Sequence, residues 1–174
     1  CFDSFFNNPG VYEVDMCTPM KKIINEIGGG FKEPVKAIQV GGPLGGIVPI
    51  KEVEKLNLDF QEFAEAGFML GHASIVSIPK DFSMVEYIHH LFKFSAEESC
   101  GKCFPGRLGS YRGKEMFDQA INKSKKIPLK LLNELLVTMK KGSLCALCGA
   151  IPVPIMNILK YFSDEMKSDI IQEN

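Results

Sequence analysis

Two Cys-x-x-Cys pairs, Cys100 with Cys103 in "ESCGKCFPGR" and Cys145 with Cys148 in "SLCALCGA", constrain this chain more than any other feature. Both fall at breaks between helical patterns. "SMVEYIHHLFKFSAEES" precedes the first pair and carries Met84, Ile88, Leu91 and Phe92 at helical spacing, with Ser83 as a cap. "GRLGSYRGKEMFDQAINK" follows that pair, a weaker helix with internal glycines. "PLKLLNELLVTMKKG" precedes the second pair, with Leu132, Leu135, Leu136 and Met139 on one side and lysines in the last turn before Gly142. "PIMNILKYFSDEMKSDII" follows it, with Pro154 near its start and Ile155, Ile158, Leu159, Phe162 and Met166 inward. These helices and their short connections predict a four-helix bundle. In an up-down bundle the first and third connections lie at one end, so the two cysteine pairs are expected to converge.

A Cys-x-x-Cys turn aims two thiolates at one centre, and a helix N-terminus behind it helps keep them deprotonated. Cys100, Cys103, Cys145 and Cys148 together suit a [4Fe–4S] cluster, or a single zinc or iron in a tetrahedral site. Two unrelated exposed pairs are the plain alternative; a thioredoxin-like redox motif lacks the βαβ context it needs. Spacing alone does not separate zinc from a cluster. The apolar Phe104, Leu144, Ala146, Leu147 and Ile151 beside the cysteines are expected to exclude water, which favours the cluster. Cys1 and Cys17 follow no such pattern and read as bystanders.

Before residue 80 the texture differs. "GVYEVD", "VKAIQV" and "ASIVSI" read as strands between Gly/Pro punctuation. "TPMKKIINEIGGG" predicts one main helix with Thr18 as N-cap, Pro19 at the first helical position, Met20, Ile23, Ile24 and Ile27 on one face, and Gly28 as the stop. "LDFQEFAEAG" predicts a short helix ending at Gly67. "GGPLGG" lacks the lysine of a phosphate-binding loop and reads as a structural turn. Strands around one main helix predict an α+β module of the β-grasp type. The domain division is 1–80 for this module and 81–174 for the helical part.

A length of 174 residues fits one domain or two small ones. With 20 basic and 21 acidic side chains the formal charge is −1, which gives no general attraction to nucleic acid or an anionic membrane. No apolar run approaches the ~18–20 residues of a membrane span, and "CFDSFFNNPG" lacks the build of a signal peptide. The expected location is cytoplasmic. A start at Cys1 instead of Met suggests a piece of a longer protein.

"GGPLGGIVP", "FAEAGFMLGHASIVSI", "FSAEESCGKCFPGR" and "GSLCALCGAIPVPIMNILKYFSDE" resemble successive blocks in the C-terminal half of the NADH-binding flavoprotein subunit of respiratory complex I, the bacterial F subunit. Subunits of NAD-linked hydrogenases and formate dehydrogenases share these blocks. The resemblance runs from about Pro9 to Met166 in the same order. It implies a β-grasp domain of the soluble-ligand-binding type, then a bundle holding one [4Fe–4S] cluster that takes single electrons from FMN. FMN and NADH would bind a preceding domain that this chain lacks, so the chain alone is not expected to oxidise NADH. Implied partners are that flavin/NADH-binding domain, a small thioredoxin-like iron–sulfur subunit and other oxidoreductase subunits. Such a complex would hold the chain peripherally at the inner face of a membrane. A zinc-bound or metal-free docking module is the alternative function.

The family motif Cys-Gly-Lys-Cys-x-Pro-Cys-Arg carries over residue by residue. Cys100 and Cys103 match its first two ligands, whereas the third corresponds to Gly106, which has no side chain. The fourth, in a Cys-Ala-Leu-Gly block, matches Cys145, and the glycine of that block is Cys148 here. One thiol lost and one gained suggests a compensating exchange, with Cys148 as the replacement ligand; a three-thiolate cluster, a zinc site and an empty site are the competing readings.

The remaining polar candidates have ordinary readings. His89 and His90 are adjacent and point about 100° apart on a helix, so they cannot share a metal. His72 follows a glycine in a loop. Lys102, Arg107 and Arg112 would surround the cysteines with positive charge or form a solvated basic face, and "KSKK" at 123–126 reads as a solvated loop. No catalytic triad, paired-carboxylate signal or substrate pocket follows from the sequence.

Overall fold

A computed structural model describes residues 1–123, 125–167 and 171–172. The chain mixes α and β structure in two compact units, Cys1–Asp81 and Phe82–Asn174.

In the first unit β1 (Val35–Val40) is the centre of an antiparallel sheet, flanked by β2 (Gly46–Pro49) and β3 (Ile75–Pro79). Ile38 stands opposite Val48 on one side and Ser77 on the other. Residues 41–45 of "GGPLGG" make the β1–β2 connection, where Gly41 adopts φ +98 against the backbone of Leu70. A side chain at that position would meet both a left-handed backbone and a blocked space. Gln39 is buried but not unsatisfied: its Nε2 donates to the carbonyls of Pro43 and Gly45, 3.2 Å each, and ties the loop to the sheet. Phe6, Met20, Ile38, Ile47, Phe63 and Ile78 form the core.

The main helix of this unit starts as α1 (Met20–Lys22) and widens into a π-helix over Ile23–Ile27, with Gly28 N–H bonded to Ile23 O at 2.9 Å. Thr18 does not cap it. Its hydroxyl donates to the Asp15 carbonyl at 2.7 Å, stabilising the preceding turn, and the helix begins after Pro19 without a side-chain cap. A short α2 (Ile50–Val53) follows β2 directly. The expected helix near Gly67 is α3 (Phe60–Glu65), capped by Asp59 Oδ1, which accepts from Glu62 N–H at 2.9 Å. "GVYEVD" is not a strand: Val11 is 84% exposed, and only Gly10 bridges, to Phe2. Phe2 also bridges Ile75, occupying the β3 edge that residues 10–15 would need.

In the second unit α4 (Met84–Glu98) buries Met84, Val85, Ile88, Leu91, Phe92, Ser95 and Ala96 and is capped by Ser83. It packs on α5 (Phe104–Lys123), which also packs on α6 (Leu129–Gly142). The glycines of α5 explain themselves by contact. A Cβ on Gly109 would meet Met139 at 2.6 Å, and one on Gly113 would enter the ring of Phe92. Gly106, Gly109 and Gly113 thus share a face on which neighbouring side chains approach the helix backbone, and this offsets their low helix propensity.

After α6 come α7 (Ala146–Ala150) and α8 (Pro152–Tyr161), with α8 packed on α4 and α6. The expected last helix is interrupted. Phe162, at φ −124 and ψ 31, ends α8, and α9 (Ser163–Lys167) starts anew. Residues 168–170 of the expected helix lie outside the described residues, as does Ser124 of "KSKK". The short β4 (Ile127–Pro128) pairs in parallel with β5 (Ile171–Gln172).

Candidate metal centre

Cys100 and Cys103 lie in the α4–α5 connection. Gly101 takes φ +74; its N–H bonds Ser99 Oγ at 3.3 Å and its carbonyl accepts from Arg107 Nη1 at 3.2 Å, which pins the loop to the first turn of α5. Cys103 stands at the entry of that helix, with its carbonyl accepting from Arg107 N–H at 2.9 Å. The backbone N–H of Leu144, followed by that of Gly106, donates to the Cys103 sulfur and holds its thiol below the ordinary range, against desolvation that pushes it up. Leu144 belongs to the other cysteine connection. The two loops therefore meet.

Cys145 is the extended N-cap of α7, and one helical turn then carries Cys148 inward to 2% exposure. There its Sγ lies 3.7 Å from Ser95 Oγ. A Cβ built on Gly106 would sit 2.8 Å from Cys103 Sγ and 3.1 Å from Cys148 Sγ. The missing side chain at 106 lets one sulfur from each pair pack against the helix backbone there. Cys100 and Cys145 are exposed in the flanking loops. Among the described residues no three His, Cys, Asp or Glu side chains are already gathered around one metal position.

Several neighbours stand differently from expectation. Phe104 and Leu144 are 68% and 76% exposed, so they do not line a dry cavity; Ile151 is buried. For Phe104 the cause is helix phase: α5 begins there and turns Gly106, Gly109 and Ser110 inward, whereas Leu144 lies in the α6–α7 connection. Arg107 stays beside the first pair, its guanidinium 5.1 Å from the Phe104 ring centre. Arg112 instead pairs with Glu115 at 2.6 Å. His89 Nε2 meets Asp118 Oδ1 at 2.7 Å, and His90 is exposed. Cys1 and Cys17 belong to the first unit, where Cys17 Sγ approaches Asp59 Oδ2 at 3.8 Å.

Two polar residues near the cysteines are not marked by any motif. Ser95 lies on the inward stripe of α4, where a hydroxyl among apolar positions is its one sequence signal. Ser143 carries no such signal. Its Oγ is buried without a hydrogen bond of normal geometry and makes only the last and smallest contribution to lowering the Cys103 thiol.

Residues 86–169 match the family of the NADH-ubiquinone oxidoreductase-F iron-sulfur binding region. The NADP-reducing hydrogenase subunit HndC of Solidesulfovibrio fructosivorans is 31% identical over 166 residues, covering 94% of this chain and 34% of that protein. The F subunit of the NADH-quinone oxidoreductase of Rickettsia bellii is 31% identical over 174 residues, 98% of this chain and 42% of its own length. The chain thus spans well under half of these relatives. A solved NAD+-reducing [NiFe]-hydrogenase has the same fold, with a TM-score of 0.84 at 21% identity over 98% of this chain and 29% of that one. No helix among the described residues is long and apolar enough to cross a membrane.

The cofactor of this iron-sulfur binding region is a [4Fe–4S] cluster, and the residues present fit one. Cys103 is already biased toward thiolate, and sulfurs of both pairs converge on Gly106. Ser143 adds a buried hydroxyl beside the Cys103 sulfur, a donor suited to sulfur that carries negative charge.

Proposed function

We propose that this chain is an electron-transfer module of an NADH:quinone oxidoreductase-type flavoprotein, with the cluster held by Cys100, Cys103, Cys145 and Cys148. The observation that carries the ligand set is the convergence of Cys103 Sγ and Cys148 Sγ on Gly106. Where the family motif has a third cysteine in the first loop, Cys148 Sγ from the second lies 3.1 Å from the point a Cβ at position 106 would occupy, which supports this set. Bound at this end, a [4Fe–4S] cluster supplies one-electron chemistry.

The chain's own residues prepare and hold the ligands. The amides of Leu144 and Gly106 stabilise Cys103 as thiolate, and α7 delivers Cys148 from the buried side. Cys100 and Cys145, exposed in their loops, would supply the other two thiolates. The unit over residues 81–174 is read as the cluster-bearing four-helix bundle and that over 1–80 as a β-grasp domain of the soluble-ligand-binding type. The chain would relay electrons between FMN on a flavin/NADH-binding domain and a small thioredoxin-like iron–sulfur subunit, in a complex held peripherally at the inner face of a membrane.

Anaerobic production with iron and sulfide analysis tests this reading. A brown protein with near-equal iron and acid-labile sulfide, and an electron paramagnetic signal on reduction, is expected. A colourless protein carrying stoichiometric zinc under the same conditions would overturn it.

A further inference from the structure

We propose that Ser95 is a positioning residue for Cys148, and that its hydroxyl donates to the Cys148 sulfur and raises the reduction potential of the cluster. This rests on the ligand set proposed above. Ser95 is 0% exposed and sits on the α4 face otherwise formed by Met84, Val85, Ile88, Leu91, Phe92 and Ala96. A hydroxyl buried in such a stripe costs free energy unless it is paired. Its partner is Cys148 Sγ at 3.7 Å, across 53 residues of sequence, and Cys148 is itself 2% exposed.

The direction of the bond follows from charge. A free thiol and a serine hydroxyl can donate either way, but a sulfur bound to iron has lost its proton and can only accept. Ser95 then becomes the donor. A hydrogen bond to a cluster sulfur withdraws electron density and favours the reduced state, an effect strengthened where water is excluded. Ser95 also fixes where Cys148 points. The sulfur that replaces the missing ligand at position 106 comes from a different element, and Ser95 holds it on the side facing α4.

The test compares the anaerobically loaded full chain with Ser95→Ala and Ser95→Thr, measuring iron and sulfide content and the midpoint potential by redox titration. Ser95→Ala is expected to retain the cluster with its one-electron reduction about tenfold less favourable, a potential lower by about 59 mV. Ser95→Thr, which keeps the hydroxyl, should return most of the shift. If Ser95→Ala fails to load and Ser95→Thr loads, the hydroxyl is required and the inference stands; if both fail, packing alone is responsible and it falls. Equal potentials for wild type and Ser95→Ala overturn this inference while leaving the ligand set intact. A wild-type chain that binds no cluster overturns the ligand set, and this inference with it.

Discussion

Gly106 and Cys148 compete for one space: a Cβ on Gly106 would lie 3.1 Å from Cys148 Sγ and 3.2 Å from its Cβ. A cysteine in the first loop and one at Cys148 are therefore alternative ways to place a sulfur there. Cys148→Gly should lose most of the iron, and Gly106→Cys alone should crowd Cys103 and Cys148. The double variant Gly106→Cys/Cys148→Gly, which restores the family arrangement, should recover cluster content. Such non-additivity is the signature of two residues sharing one role. Iron and sulfide per chain for all four proteins measure it, and a double variant as empty as Cys148→Gly would refute the exchange.

Cys103 and Cys148 should differ sharply as free thiols. Before loading, the Leu144 and Gly106 amides lower the Cys103 thiol, so its thiolate fraction at a given pH exceeds that of an ordinary cysteine. Cys103 is half-buried and Cys148 buried. Timed alkylation read by mass spectrometry is expected to modify Cys103 early, with reaction persisting to lower pH than for a model thiol. Cys148 should resist until the chain unfolds.

Gly113 should not tolerate alanine. Three atoms of the Phe92 ring fill the space of its Cβ, and Phe92 is itself buried with its ring centre 5.8 Å from that of Phe117. Alanine would add about 1 kcal/mol of helix propensity. Overpacking a closed core costs about 1–3 kcal/mol, more when backbone must move. Urea or thermal unfolding of Gly113→Ala should show net destabilisation, and Phe92→Leu should relieve part of it.

Asp118 should contribute an acid-sensitive share of stability. Its carboxylate accepts from Lys114 Nζ at 3.0 Å and contacts His89 Nε2 at 2.7 Å; these bonds, Lys114 first, hold its pKa below the ordinary 3.8. A lowered folded-state value means the contribution is present above the ordinary pKa and lost as pH falls through the folded one. With 36% of its side chain exposed, screening keeps the effect below about 1 kcal/mol. Wild type and Asp118→Asn should differ slightly near neutral pH and converge in acid, as followed by urea unfolding across pH.

Neighbouring residues suffice to specify part of this molecule. The apolar stripes of α4 and α6 follow from helical periodicity, and the Ser83 cap and the strand "VKAIQV" from residue type. The two cysteine pairs between helices are legible in the same way, because short connections and spacing are properties of adjacent residues. Local signals mislead where a distant partner intervenes. Thr18 turns to Asp15, Phe2 takes the edge that "GVYEVD" needs, and helix phase turns Phe104 outward. Three relationships at the cysteines have no local signal at all: Cys103 receives the Leu144 amide, Cys148 packs against Gly106, and Ser95 meets Cys148. Each of those contacts joins separate elements of the helical unit, and packing of α4, α5 and α7, not any local preference, brings them together.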